Sequence, residues 1–175
     1  MIIYTDGSAL ANGSTDNSGG FGIVVLDNDE HLITTISGRT NETTTNNREE
    51  MKAILYALKL FGEPKAFQLL PVVYSDSAYC VNTFNTWMYD WVKRGWQKSD
   101  GKRPENLDLV KRYYELIQKG YDIDLRKCKG HAGNPWNELA DALATNDERK
   151  YNKILTTEGL EEDLVDILKP VVEKE

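Results

Sequence analysis

A chain of 175 residues, 40% hydrophobic and 28% charged, has the makings of one globular domain with a short appendage. Its formal net charge of −7 speaks against a uniformly basic coat for nucleic acid, and no apolar run is long enough for a membrane span. Met1-Ile2-Ile3-Tyr4 leads straight into a strand pattern with no signal-peptide profile, and Cys80 and Cys128 lack metal-site spacing, so the expectation is a cytoplasmic protein with two reduced thiols.

Residues 2–6 read as a buried strand, followed by a Gly/Asn/Ser-rich connection from Gly7 to Gly20. Phe21 to Leu26 is a second strand, Asp27 to Glu30 a turn, and His31 to Gly38 an alternating third strand, which together make a meander. Thr43 to Asn46 offers a helix N-cap, and Met51, Ile54, Leu55, Leu58 and Phe61 give helical spacing from about Asn47 to Phe61. Gly62 and Pro64 stop that helix.

Residues 66–75 are strand-like despite Pro71, and Ser77 caps a helical region that runs, with breaks, through Trp91. Lys93 to Pro104 is a basic loop, Asn106 to Lys119 a helix, Tyr121 to Lys127 a fifth strand and Pro135 to Asn146 a last core helix. This order predicts an α/β fold: a mixed five-stranded sheet, three antiparallel strands followed by two parallel ones, with helices on both faces. Residues 1–146 form the body, and 147–175 an acidic helical extension whose Leu160, Leu164, Ile167 and Leu168 recur at helical spacing.

Four carboxylates in four separate segments carry the chemistry: Asp6, Glu50, Asp76 and Asp141. Tyr4-Thr5-Asp6 and Tyr74-Ser75-Asp76 each close an apolar run. If those runs are neighbouring parallel strands, the two aspartates stand about 4.8 Å apart. Like charges that close do not both stay ionised without something positive between them, and a hard divalent cation such as Mg²⁺ is the simplest candidate. Glu50 shares a helix row with Ile54 and Leu58, and Asp141 lies in the small-residue stretch Leu139-Ala140-Asp141-Ala142-Leu143-Ala144. Each acid alone also fits a helix-dipole, surface or turn role; together they point to one pocket and metal-dependent phosphoester chemistry.

The segments Tyr4-Thr5-Asp6-Gly7-Ser8, Thr45-Asn46-Asn47-Arg48-Glu49-Glu50, Tyr74-Ser75-Asp76-Ser77 and Lys129-Gly130-His131-Ala132-Gly133-Asn134-Pro135, with Asp141 ten residues beyond the histidine, resemble the ribonuclease HI family. Trp87 to Trp96 is similar to that family's basic substrate-binding handle. The resemblance implies a ribonuclease H-like fold and cleavage of the RNA strand of RNA–DNA hybrids. Asp6, Glu50, Asp76 and Asp141 then correspond to the metal-binding catalytic set, which takes two Mg²⁺ ions, with Mn²⁺ as a substitute. His131 corresponds to an auxiliary histidine linked to proton transfer and product release.

By the same resemblance Asn46 and Asn47 read the RNA strand, while Asn12, Thr45, Asn106 and Trp87 meet the DNA strand. Lys93, Arg94 and Lys98 supply phosphate attraction that weakens with salt. Two positions depart from the family pattern: Ala78 where a glutamine is frequent, and Val110 where an aromatic side chain lines the DNA channel. The chain is expected to be a monomer without membrane contact, with residues 158–172 as a candidate docking segment for a protein partner. Two rival readings are a non-catalytic nucleic-acid-binding subunit and a nuclease for DNA junctions or duplex RNA.

Overall fold

The computed structural model describes residues 1–9, 18–64, 66, 69–128, 133–157 and 171–172. Strands β1 (Ile2–Ala9), β2 (Gly19–Leu26) and β3 (Leu32–Thr40) form the antiparallel meander. Helix α1 (Asn46–Phe61) follows, with Thr45 as its N-cap and the Gly62 N–H closing it on the Leu58 carbonyl. After the short β4 (Glu63–Pro64), β5 (Val72–Ser75) pairs in parallel with β1. Helix α2 (Ala78–Asn82), capped by Ser77, passes through a π-helical turn at Thr83–Trp87 into α3 (Met88–Lys93).

Helix α4 (Leu107–Gln118) precedes β6 (Tyr121–Asp122), which pairs with β4, and β7 (Asp124–Lys127), which pairs in parallel with β5. Helices α5 (Pro135–Thr145) and α6 (Glu148–Thr157) pack together, and β8 (Val171–Val172) joins the β3 edge in parallel. The main sheet runs β7-β5-β1-β2-β3-β8, so β1 has a parallel neighbour on one side and an antiparallel one on the other. The five-stranded α/β arrangement predicted from the sequence is thus present, with β8 as an additional edge.

Both faces of this sheet are covered, so β2 is buried from end to end rather than alternating with solvent. Ile3, Ile23 and Val25 meet Met51, Ile54 and Leu58 of α1 on one face, together with Phe84, Met88 and Tyr113. Tyr4, Val24 and Leu26 meet Trp136, Leu139 and Leu143 of α5 and Leu155 of α6 on the other. Residues one apart on a strand point to opposite faces, which is why Ile3 and Tyr4 belong to different cores. Among the described residues, no helix is long and apolar enough to cross a membrane.

Four segments differ from expectation; in the first, residues 7–9 and 19–20, expected within the connection, form the ends of β1 and β2, with Ser8 paired to Gly20 and Ala9 to Gly19. The strand foreseen over 66–75 shortens to Val72–Ser75, and Pro71, which has no N–H to donate, contributes only its carbonyl, accepting from Asp124 N at 2.9 Å. The strand foreseen over 121–127 breaks at Ile123, whose N–H is taken by the Asp122 carboxylate at 2.8 Å, and its two halves join different partners. In the extension, α6 is helical but Val171–Val172 is extended, in line with the β preference of two consecutive valines after a proline. Residues 158–170, which hold the expected apolar helical repeat, lie outside the described residues.

Candidate active site

Asp6 stands on the central strand, and three neighbouring elements each bring an acid to it. Register pairs Thr5 with Ser75, so Asp6 and Asp76 leave β1 and β5 side by side. The Thr5 hydroxyl donates to the Tyr74 carbonyl at 3.0 Å, and Ser77 N donates to Ser75 Oγ at 3.2 Å, which fixes the backbone around Asp76. A carboxylate oxygen from each of Asp6, Glu50 and Asp76 falls within 4.8 Å of the others.

Two glycines permit this crowding. A Cβ on Gly7 would lie 2.2 Å from Glu49 C and Glu50 N, so the first turn of α1 rests directly on β1. That contact presents Glu50 to Asp6 and lets the Gly7 N–H reach the Glu50 side chain. On the opposite face, a Cβ on Gly22 would lie 2.4 Å from the Ala140 carbonyl oxygen and 2.6 Å from Leu143 Cβ. Gly22 is the register partner of Asp6, so the close seat of α5 there brings Asp141 to Asp6 as well.

Glu50 and Asp141 both act on the Asp6 carboxyl, whereas the mutual 4.8 Å grouping takes in Glu50 and Asp76 but not Asp141. Asp6 and Glu50 are buried, 5% and 8% exposed. Burial first, then contact with Asp141 and the nearby charge of Asp76, pushes Asp6 up to about 7. Glu50 is also pushed well above the usual carboxylate range, by burial and then by Asp6. Glu50 Oε2 is a buried oxygen with no hydrogen-bond donor among the described residues. An all-oxygen cluster that carries its negative charge reluctantly and leaves one buried lone pair unmet fits a hard divalent cation, which would favour the ionised form.

Asp141 has a further contact absent from the sequence reading. Lys150 Nζ, on α6, lies 2.5 Å from Asp141 Oδ2 and 2.8 Å from Glu138 Oε2. The turn at Asn146, in the left-handed conformation with φ 56°, folds α6 back onto α5 and makes that contact. Asn134 caps α5 and donates from Nδ2 to the Tyr4 hydroxyl at 2.9 Å, tying the helix start to β1 two residues before Asp6. His131 lies outside the described residues, as does Asn12.

The expected strand-binding residues fall into two further places. Thr45, Asn46 and Asn47 sit at the start of α1; the Asn46 side chain accepts from Ala9 N at 2.8 Å, and Asn47 is exposed. Arg48 bridges that helix start to α4, donating to Asp108 at 3.0 and 2.7 Å and to the Asn106 side chain at 3.4 Å. It brings Thr45 and Asn106 into one neighbourhood, a link that the sequence did not reveal. Asn106 itself is left-handed, φ 55°, at the head of α4.

Beyond the π-helical turn, a groove of about 530 Å³ is lined by Tyr79, Trp87, Trp91, Arg94, Lys98 and Glu105. Trp87 is 38% exposed and meets Tyr79 edge-on, whereas Trp91 is buried in the core. Gly95 and Trp96, both at positive φ, end α3 and start the basic loop, whose Trp96 packs edge-on against Tyr114 of α4. Lys93 and Arg94 project from its surface. Val110 is wholly buried beside Tyr113, so this position faces the core and lines no surface channel.

The RNase H family model matches residues 1–149. A protein named ribonuclease H from Mannheimia succiniciproducens is 42% identical over 142 residues, covering 81% of this chain and 83% of its own. One of the same name from Caldanaerobacter subterraneus subsp. tengcongensis is 40% identical over 152 residues, covering 86% and 92%. Among solved structures, LC9-RNase H1, described as a type 1 RNase H with the type 2 active-site motif, superposes with a TM-score of 0.69 at 25% identity, covering 98% of this chain and 85% of that one.

Proposed function

This chain belongs to the RNase H family, and on that basis we propose that it is a ribonuclease H, a divalent-metal-dependent endonuclease that cuts the RNA strand of RNA–DNA hybrids. The observation that carries the reading is the convergence of Asp6, Glu50 and Asp76 to within 4.8 Å, with Asp141 close enough to act on the Asp6 carboxyl. Asp6, Glu50, Asp76 and Asp141 would hold two Mg²⁺ ions, for which Mn²⁺ can substitute. When bound, such ions supply Lewis acidity, acidifying a water for attack on phosphorus and offsetting charge on the departing 3′ oxygen.

The protein's own groups do the placing. Asp6, central on the sheet and beside the other acids, would be one of the residues that hold the metal. Glu50 offers its unpartnered Oε2 from the α1 side, and Asp141 closes the pocket from α5. His131 would exchange a proton with the product end, a role for which an imidazole is suited. Products would carry 5′-phosphate and 3′-hydroxyl ends.

Recognition draws on the surface beside this pocket. Asn46 and Asn47, at the start of α1, would test for ribose 2′-hydroxyls, the feature that separates RNA from DNA. Asn12, Thr45 and Asn106 hold a DNA phosphate, Trp87 lies against a deoxyribose, and Lys93, Arg94 and Lys98 attract the backbone. Cys80 and Cys128 are free, in keeping with the reducing cytoplasm that we propose as the setting. A monomer suffices for this chemistry, and residues 158–172 remain our candidate for a protein partner.

The test is labelled hybrid, duplex DNA and duplex RNA, each with protein and Mg²⁺ or EDTA, beside Asp76→Asn. The expected result is cleavage of hybrid RNA alone, abolished by EDTA and reduced at least about a thousandfold by the substitution. Equal cutting of duplex DNA would favour a different nuclease, and no cutting with any divalent ion would favour a binding subunit.

A further inference from the structure

Lys150 contributes its ammonium to the acidic site from outside the stretch matched by the family model, which ends one residue earlier. Its Nζ contacts Asp141 at 2.5 Å and Glu138 at 2.8 Å, two acids three residues apart and therefore on one face of α5. Asp141 reaches Asp6 as well, so a single carboxylate joins the lysine to the three-acid cluster. The local fold is built to deliver this side chain. Asn146 turns the chain in the left-handed conformation, Asp147 N donates back to the Ala142 carbonyl at 2.9 Å, and the Asp147 carboxylate caps α6 at Lys150 N, 3.0 Å away. Leu155 then anchors α6 in the core beneath α5.

We propose that Lys150 is a tethered competitor for the divalent ion at Asp141, a positioning residue that makes this corner of the pocket bind its metal less tightly. The proposal rests on the reading of Asp6, Glu50, Asp76 and Asp141 as metal ligands. An ammonium and Mg²⁺ seek the same carboxylate oxygens, and Mg²⁺ is demanding about geometry and loses its water reluctantly. An oxygen already engaged by an N–H at 2.5 Å must be released or shared before it can serve as a full ligand. The lysine's positive charge also stands beside the pocket and repels the incoming ion. The same contact offsets part of the charge of Asp141 and Glu138, so metal binding and the lysine contact would oppose each other through one carboxylate.

Calorimetric titration of Mg²⁺ into the full chain tests this without reference to turnover, comparing wild type with Lys150→Met and Lys150→Arg. The expected result is Mg²⁺ binding about five- to tenfold tighter in the methionine variant and near wild type in the arginine variant. The methionine variant should also melt lower than wild type without metal and gain more from Mg²⁺. Tighter binding is not an effect that general structural damage produces. Should the methionine variant fail to fold, Lys150→Gln carries the same expectation. Equal or weaker Mg²⁺ binding in a folded variant would overturn the proposal. A wild-type chain that binds no divalent ion at all would instead sink the functional reading, and the competition with it.

Discussion

At the scale of single residues, the site is defined by charge that the fold concentrates and then leaves unbalanced. Asp6 is pushed up to about 7 by burial and its acidic neighbours, so between its unfolded value near 3.8 and about 7 the folded chain binds more protons than the unfolded one. Stability therefore falls as pH rises through that window. Asp6→Asn removes the penalty: in metal-free buffer at pH 8 its Tm should exceed wild type by roughly 5 °C, and the gap should close below about pH 4. Thermal melts across pH would check this, and a variant less stable than wild type at pH 8 would refute the unbalanced cluster. Glu49, one residue before Glu50, shows the contrasting solution. It is fully buried, accepts from the Thr44 hydroxyl at 2.9 Å and pairs with Lys52 Nζ at 3.4 Å, which makes it part of the structural support for α1.

At the scale of elements, the pocket exists because two helices touch β-strands at glycines. Gly22→Ala places a methyl 2.4 Å from the Ala140 carbonyl oxygen and must push α5 away from the sheet. The expected cost is about 1–3 kcal/mol by chemical denaturation, with hybrid cleavage falling more than the stability loss explains, because Asp141 moves with its helix. Full activity in this variant would show that the seat of α5 does not set the site. Much of this arrangement was readable beforehand. The helical spacing of Met51, Ile54 and Leu58, the caps at Thr45 and Ser77, and the paired Tyr-Thr-Asp and Tyr-Ser-Asp strand ends are local signals, and local signals survive in one dimension. What escaped depends on geometry between elements. The Lys150 contact needs the angle that Asn146 sets between two helices, and the Arg48 bridge to Asp108 spans 60 residues. The strand over 66–75 was overdrawn because Pro71 withholds a donor, a constraint that apolar content alone conceals.

At the scale of the whole molecule, a chain of net charge −7 nevertheless carries a basic loop beside its acidic pocket. Lys93, Arg94 and Lys98 near the Trp87 groove form a positive surface that would draw a polyanion, whereas the charge of the carboxylate pocket opposes phosphate. The central claim is thus that Asp6, Glu50 and Asp76 share a divalent ion. A built-in control is available, since Asp27, Asp29 and His31 also bring ligand atoms within 4.8 Å of one another, but at the surface. Anomalous diffraction from a crystal soaked in Mn²⁺ decides between them. A manganese peak bounded by the Asp6, Glu50 and Asp76 carboxylates is the predicted result; a peak confined to the surface cluster, with none beside Asp6, would contradict the account.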